Sequence, residues 1–120
     1  MYEPVVAVLG DNRTIGRILE VLLRTTGYDA RFLVGIGPGA LGDLLSDVDL
    51  VILPPLLGPR RREAYLESIA ATPAAAVPLL ELVRDGEEPY PPAGKVVPWP
   101  CSLEILERKV RDAISPCEVG

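Results

Sequence analysis

Val5-Val6-Ala7-Val8-Leu9-Gly10-Asp11-Asn12 is the stretch that decides the fold. Five apolar residues in a row, three of them β-branched, describe a strand buried on both faces, because a strand with one wet face alternates apolar with polar. Gly10-Asp11 stops it. Ile15, Ile18, Leu19, Leu22 and Leu23 then recur at helical spacing as the inner face, with Arg17, Glu20 and Arg24 on the other side. Asp11 or Asn12 can cap that helix, and Gly27 can end it. A carboxylate at Asp11 suits the positive end of the helix dipole, so the cap is its first expected role and a residual cation ligand the second.

The alternation continues down the chain. Tyr28 to Val34 makes a second strand. Ala40 to Ser46 suits a short helix. Asp49-Leu50-Val51-Ile52-Leu53 is a third strand, cut off by Pro54-Pro55, which cannot donate to a ladder. Arg60 to Ala71 is helical in pattern, with Tyr65, Leu66 and Ile69 facing inward. Val77 to Val83 is a fourth strand, interrupted only by Glu81, and Lys95-Val96-Val97 a brief fifth. Ser102 caps a last helix that turns Leu103, Leu106, Val110, Ala113 and Ile114 inward. Strands of about five residues alternating with helices predict an α/β doubly wound parallel sheet covered on both faces. Ligands of such sheets bind at the carboxyl ends of the strands, near the point where strand order reverses. Between the fourth and fifth strands, residues 84–94 hold three prolines and two glycines, so a Pro-rich loop stands where a crossover helix is expected.

Composition narrows the function. The 120 residues fit one domain, and 48% are hydrophobic, enough for a core. A net charge of −5 disfavours direct binding to a nucleic-acid backbone. No apolar run reaches membrane-spanning length, and Met1-Tyr2-Glu3 does not open a signal peptide. Without any His and with only Cys101 and Cys117, no zinc site is expected; two thiols held apart by the last helix fit a reducing, cytoplasmic setting. Gly37-Pro38-Gly39-Ala40-Leu41-Gly42 spells a dinucleotide fingerprint, but it follows the second strand rather than the first, which favours a turn.

In order and spacing, these elements resemble the receiver domain of bacterial response regulators in two-component signalling. Val8 to Ile15 resembles the first strand and its acidic turn, Thr25-Thr26-Gly27-Tyr28 the lead into the second strand, and Asp49 to Gly58 the third strand and phosphoacceptor turn. Val77 to Val83 resembles the fourth strand, and Val97 to Leu106 the fifth strand, its lysine–proline turn and the last helix. The resemblance implies a flavodoxin-like five-stranded sheet of order 2-1-3-4-5 in a single domain over residues 1–120. It also implies a phosphorylation site of two acids, one aspartate, one hydroxyl and one lysine. This chain departs from that set. Gly10 and Asp11 stand at the acid pair, Pro54 at the acceptor, Val83 at the hydroxyl and Trp99 at the lysine. Proline has no nucleophile and Trp99 no charge, so neither aspartyl phosphorylation nor a bound cofactor or metal is expected. Pro100 is kept, and the resemblance implies a cis Trp99–Pro100 bond.

What remains is a degenerate receiver that is not an enzyme and works through a protein partner, independently of phosphorylation, as a homodimer or otherwise. A small-ligand sensor is the alternative within signalling. The candidate contacts are Tyr90 and Trp99 near the altered edge and the basic run Arg60, Arg61 and Arg62. Charge runs are more often solvated faces, and Trp99 and Tyr90 can equally fill the space left by the missing site. A small enzyme or cofactor carrier is the reading from another class. Cys101, at the start of the last helix, is its one candidate reactive group, and a buried structural thiol is the commoner outcome.

Overall fold

A computed structural model of the chain describes residues 4–10, 12–34, 47–55, 59–71, 77–84 and 95–114. Five strands, β1 (Val5–Gly10), β2 (Asp29–Val34), β3 (Leu50–Leu53), β4 (Leu79–Arg84) and β5 (Lys95–Trp99), form one sheet of order β2-β1-β3-β4-β5. Every pairing is parallel. The described helices are α1 (Arg13–Thr25), α2 (Pro59–Ala70) and α3 (Leu103–Ile114). The expected helix over 40–46, the glycine turn at 37–42, and residues 85–94 with Tyr90 lie outside the described residues.

The two-sided strands explain the two cores. On one face Val6 and Val8 of β1 join Leu50, Ile52, Leu80, Leu82 and Val97 beneath α1 (Leu19, Leu23) and α3 (Leu106, Val110, Ala113). On the other, Ala7, Leu9, Val51 and Leu53 meet Tyr65 and Ile69 of α2. Consecutive residues of β1 therefore feed opposite cores, which is why its run has no polar member. Gly16 lets α1 sit close on β2: a Cβ there would fall 2.2 Å from the Phe32 ring.

Two inward assignments are corrected. Ile18 is 44% exposed and Leu103 37% exposed. Ile18 lies about 100° around α1 from the buried Leu19, and Leu103 sits in the first turn of α3, ahead of the buried Leu106, so neither side chain reaches the sheet.

The cap of α1 is Asn12, not Asp11. Its Oδ1 accepts from the Ile15 N–H at 3.0 Å, while Asp11 lies outside the described residues. An amide three residues ahead of Ile15 has the reach a cap needs. α1 ends with Gly27 N–H donating to Arg24 O and Tyr28 N–H to Leu23 O, so two carbonyls of its last turn are satisfied. Ser102 caps α3 as expected, its Oγ accepting from Ile105 N–H at 3.2 Å. At the amino edge the Asp49 carboxylate accepts from Val5 N–H at 2.8 Å, and β3 begins one residue later than the apolar run suggested. At the other end β4 reaches Arg84, and β5 continues through Pro98 to Trp99, a position open to proline because β5 is an edge strand.

Candidate functional site

The carboxyl ends of β1, β3, β4 and β5 converge on one rim of the sheet, and four of the singled-out residues sit there. Gly10 closes β1, Pro54 follows β3, Val83 is the penultimate residue of β4, and Trp99 ends β5. Parallel register pairs Val8 with Ile52, which sets Gly10 level with Pro54 two residues on. Gly10 has φ 142°, and a Cβ built on it would lie 2.8 Å from Pro54 Cγ and 3.5 Å from Cδ. The proline ring thus rests on the bare α-carbon of Gly10, and both residues are buried. A side chain at position 10 would need that ring to move and would also take a backbone angle that L residues rarely adopt.

Val83 is half-buried at the end of β4, and Trp99 is half-buried against the core on the α1–α3 face. The Trp99–Pro100 peptide is cis. Gly10, Pro54, Val83 and Trp99 offer no carboxylate, hydroxyl or ammonium. Among the described residues no cluster of three His, Cys, Asp or Glu side chains is placed to hold a metal ion.

One charged pair close to the rim is not evident from the motifs. Glu81 lies two residues before Val83 in β4 and is only 3% exposed. Arg62 of α2 meets it with both arms of its guanidinium, Nε at 2.7 Å from Oε2 and Nη2 at 3.0 Å from Oε1. Such a fork is the geometry in which arginine holds a carboxylate most firmly. The signal in the sequence is a lone acid inside an apolar strand, since a buried charge must be paired, together with the arginine run in the helix just before that strand. The run Arg60-Arg61-Arg62 is therefore not one patch. Arg62 turns inward to Glu81. Arg61 is exposed, with its guanidinium carbon 5.7 Å from the Tyr65 ring centroid and Nη2 3.4 Å from the Tyr65 hydroxyl. Arg60 is exposed.

Cys101 precedes the Ser102 cap and is half-buried. Burial pushes its thiol above the ordinary value, opposite to the shift a reactive thiolate needs. Tyr28 is raised as well, by burial first and then by the negative charge of Glu107. Glu107 pairs with Arg111, one turn further along α3, at 3.2 Å.

No protein-family model matches the chain, and no curated protein matches it in sequence. Solved structures do match in fold. A protein described as a response regulator from Chloroflexus aurantiacus J-10-fl is 17% identical with a TM-score of 0.78, over 95% of this chain and 99% of that one. The signal receiver domain of a signal transduction histidine kinase from Syntrophus aciditrophicus is 18% identical with a TM-score of 0.73, over 98% and 94%. The Vibrio cholerae chemotaxis protein CheY4 is 17% identical with a TM-score of 0.73, over 93% and 99%. The class this chain falls in by architecture is therefore the receiver fold, a flavodoxin-like parallel sheet of order 2-1-3-4-5. Identities this low establish that fold and leave activity to the residues of the rim.

Proposed function

We propose that residues 1–120 form a single receiver-type domain of a two-component signalling system, cytoplasmic and not itself an enzyme, that works without aspartyl phosphorylation. It acts by binding a protein partner and needs neither cofactor nor nucleic acid. The observation that carries this reading is the Pro54 ring seated on Gly10. Magnesium requires several oxygen ligands in octahedral array, and phosphoryl transfer requires a nucleophile with positive charge around it. Among the described residues the rim instead presents a packed glycine–proline contact, an aliphatic side chain and an indole. Glu81, the buried acid of β4, is held in a fork by Arg62. Regulation then rests on when the domain is made and what it meets, not on its covalent state.

Trp99, the one tryptophan of the chain, reports on this rim directly. Its fluorescence is expected to show no saturable change as magnesium is raised to about 20 mM, far above what a working carboxylate site needs. A saturable response that is lost on replacing Asp11 with Ala would place a cation site at the rim and sink the reading.

A further inference from the structure

An open sheet has two edge strands, here β2 and β5, and an edge presents backbone N–H and C=O groups that another extended chain can pair with. Along a strand of a parallel ladder, one residue turns both its backbone groups to the neighbouring strand and the next turns both away. Asp29 N–H donates to Pro4 O at 2.9 Å, and Val5 of β1 stands opposite Asp29. Asp29, Arg31 and Leu33 therefore face β1, while Ala30 and Phe32 turn their backbone groups to the open edge. At the other side Val51 N–H donates to Pro78 O, which turns Leu79, Glu81 and Val83 toward β5. Glu81 and Val83 stand opposite Val96 and Pro98, so those two residues carry the open edge of β5.

The two edges are closed by different means. Pro98 is exposed and has no N–H to offer on the β5 side. On the β2 side the Ala30 carbonyl is taken from within the chain. Arg24, in the last turn of α1, donates to Ala30 O from Nε at 3.2 Å and from Nη2 at 3.1 Å. Glu20, one turn back, pairs with the same Nη2 at 3.2 Å and steadies the guanidinium. The turn from α1 into β2 does not need this contact, because Gly27 N–H on Arg24 O and Tyr28 N–H on Leu23 O already close it. The guanidinium reaches past that turn to the second residue of β2. A strand added there would run about 4.8 Å from β2 with an N–H aimed at the same oxygen, and the guanidinium stands in its path.

We propose that Arg24 guards the β2 edge: by occupying Ala30 O it keeps β2 of a second copy from pairing with β2 and extending the sheet from one molecule into the next. Without the guard, two β2 edges can meet antiparallel across a two-fold axis, each supplying the outward groups of Ala30 and Phe32. The inference goes beyond the proposed interaction role and does not depend on it, since the folded chain needs a closed edge whatever it binds.

Arg24→Met tests this, because methionine keeps a good helix former in α1 and removes both donors. In sedimentation velocity from about 1 to about 300 µM, the variant should self-associate at least about tenfold more tightly than the native chain, the factor that a hydrogen bond to a charged group is worth. Amide hydrogen exchange should then show the Ala30 and Phe32 N–H groups newly protected in the associated variant, with Asp29, Arg31 and Leu33 protected in both chains. Glu20→Gln loses the ion pair but leaves the guanidinium on Ala30 O, and should behave as the native chain does. Arg24→Lys keeps the charge on a single nitrogen and should fall between the two; it serves in place of Arg24→Met if thermal melts show that variant too unstable to assay. A folded Arg24 variant that associates no more than the native chain overturns the proposal. Association that leaves the Ala30 and Phe32 amides unprotected, or that Glu20→Gln reproduces in full, overturns it too by placing the cause elsewhere.

Discussion

Replacing Arg62 with methionine removes both guanidinium contacts to Glu81 and leaves that carboxylate, 3% exposed, without the cation that faces it. Breaking a buried ion pair by deleting one partner costs about 3–5 kcal/mol. Arg62 is 20% exposed and Glu81 has further contacts, so the low end, about 3 kcal/mol, applies here. At about 2.1 cal/mol/K per residue, unfolding 120 residues carries an entropy near 250 cal/mol/K, and the midpoint of thermal unfolding should fall by about 12 °C. Circular dichroism melts measure this. Arg111→Ala is the control: its pair with Glu107 is on the surface, the arginine being 61% exposed, and should cost under about 1 kcal/mol. The double variant Arg62→Met with Glu81→Leu should return to within about 1 kcal/mol of the parent, because an apolar pair needs no desolvation. If Arg62→Met melts no lower than Arg111→Ala, the pair does not tie α2 to β4 and the account of the rim loses its neutralised acid.

The glycine–proline contact makes a second prediction. Gly10→Ala should cost about 2–4 kcal/mol in urea unfolding, from backbone strain at φ 142° and the clash with Pro54, and Pro54→Ala in the same chain should recover the part due to the clash. A neutral Gly10→Ala would mean the ring does not rest on that α-carbon. A third concerns pH. Burial raises both Cys101 and Tyr28, so the folded chain holds these two protons more tightly than the unfolded one. Stability should be indifferent to them at neutral pH and fall as pH rises past the ordinary thiol and phenol values, about 8.5 and 10. Cys101→Ser with Tyr28→Phe should flatten that alkaline decline, and a decline of unchanged steepness would contradict the assignment. In a Cys117→Ser background, iodoacetamide should modify Cys101 more slowly than a free thiol at pH 7.

The sheet was legible because its strands are coded twice, once by unbroken apolar runs and again by the helical stripes between them. Val5 to Leu9 could be placed inside a two-sided sheet from letters alone, and the order of elements gave the strand order through the receiver resemblance. The ends of elements were less legible. Asn12 takes the cap beside an equally able Asp11, and β5 runs on through Pro98 because an edge strand tolerates a missing donor. At the rim, the receiver resemblance sets Gly10 and Pro54 at positions where that family carries acids, but letters alone do not tell that the two touch, since contact across forty-four positions depends on the parallel register of β1 and β3. The Arg62–Glu81 fork was hidden for a similar reason. Arg62 looks like one of three equivalent cations until the helix phase of α2 turns it toward β4, while Arg60 and Arg61 face solvent. Ile18 and Leu103 were misassigned inward because helical spacing defines a stripe more generously than the sheet beneath can cover.

The central claim, that this receiver fold has no phosphorylation chemistry at its rim, is tested most directly by intact mass after incubation with magnesium and acetyl phosphate. The account predicts an unchanged mass, with and without magnesium. A magnesium-dependent gain of one phosphoryl group, labile in hydroxylamine as an acyl phosphate is, would contradict it and put a working carboxylate acceptor where Pro54 and Gly10 are held to close the site.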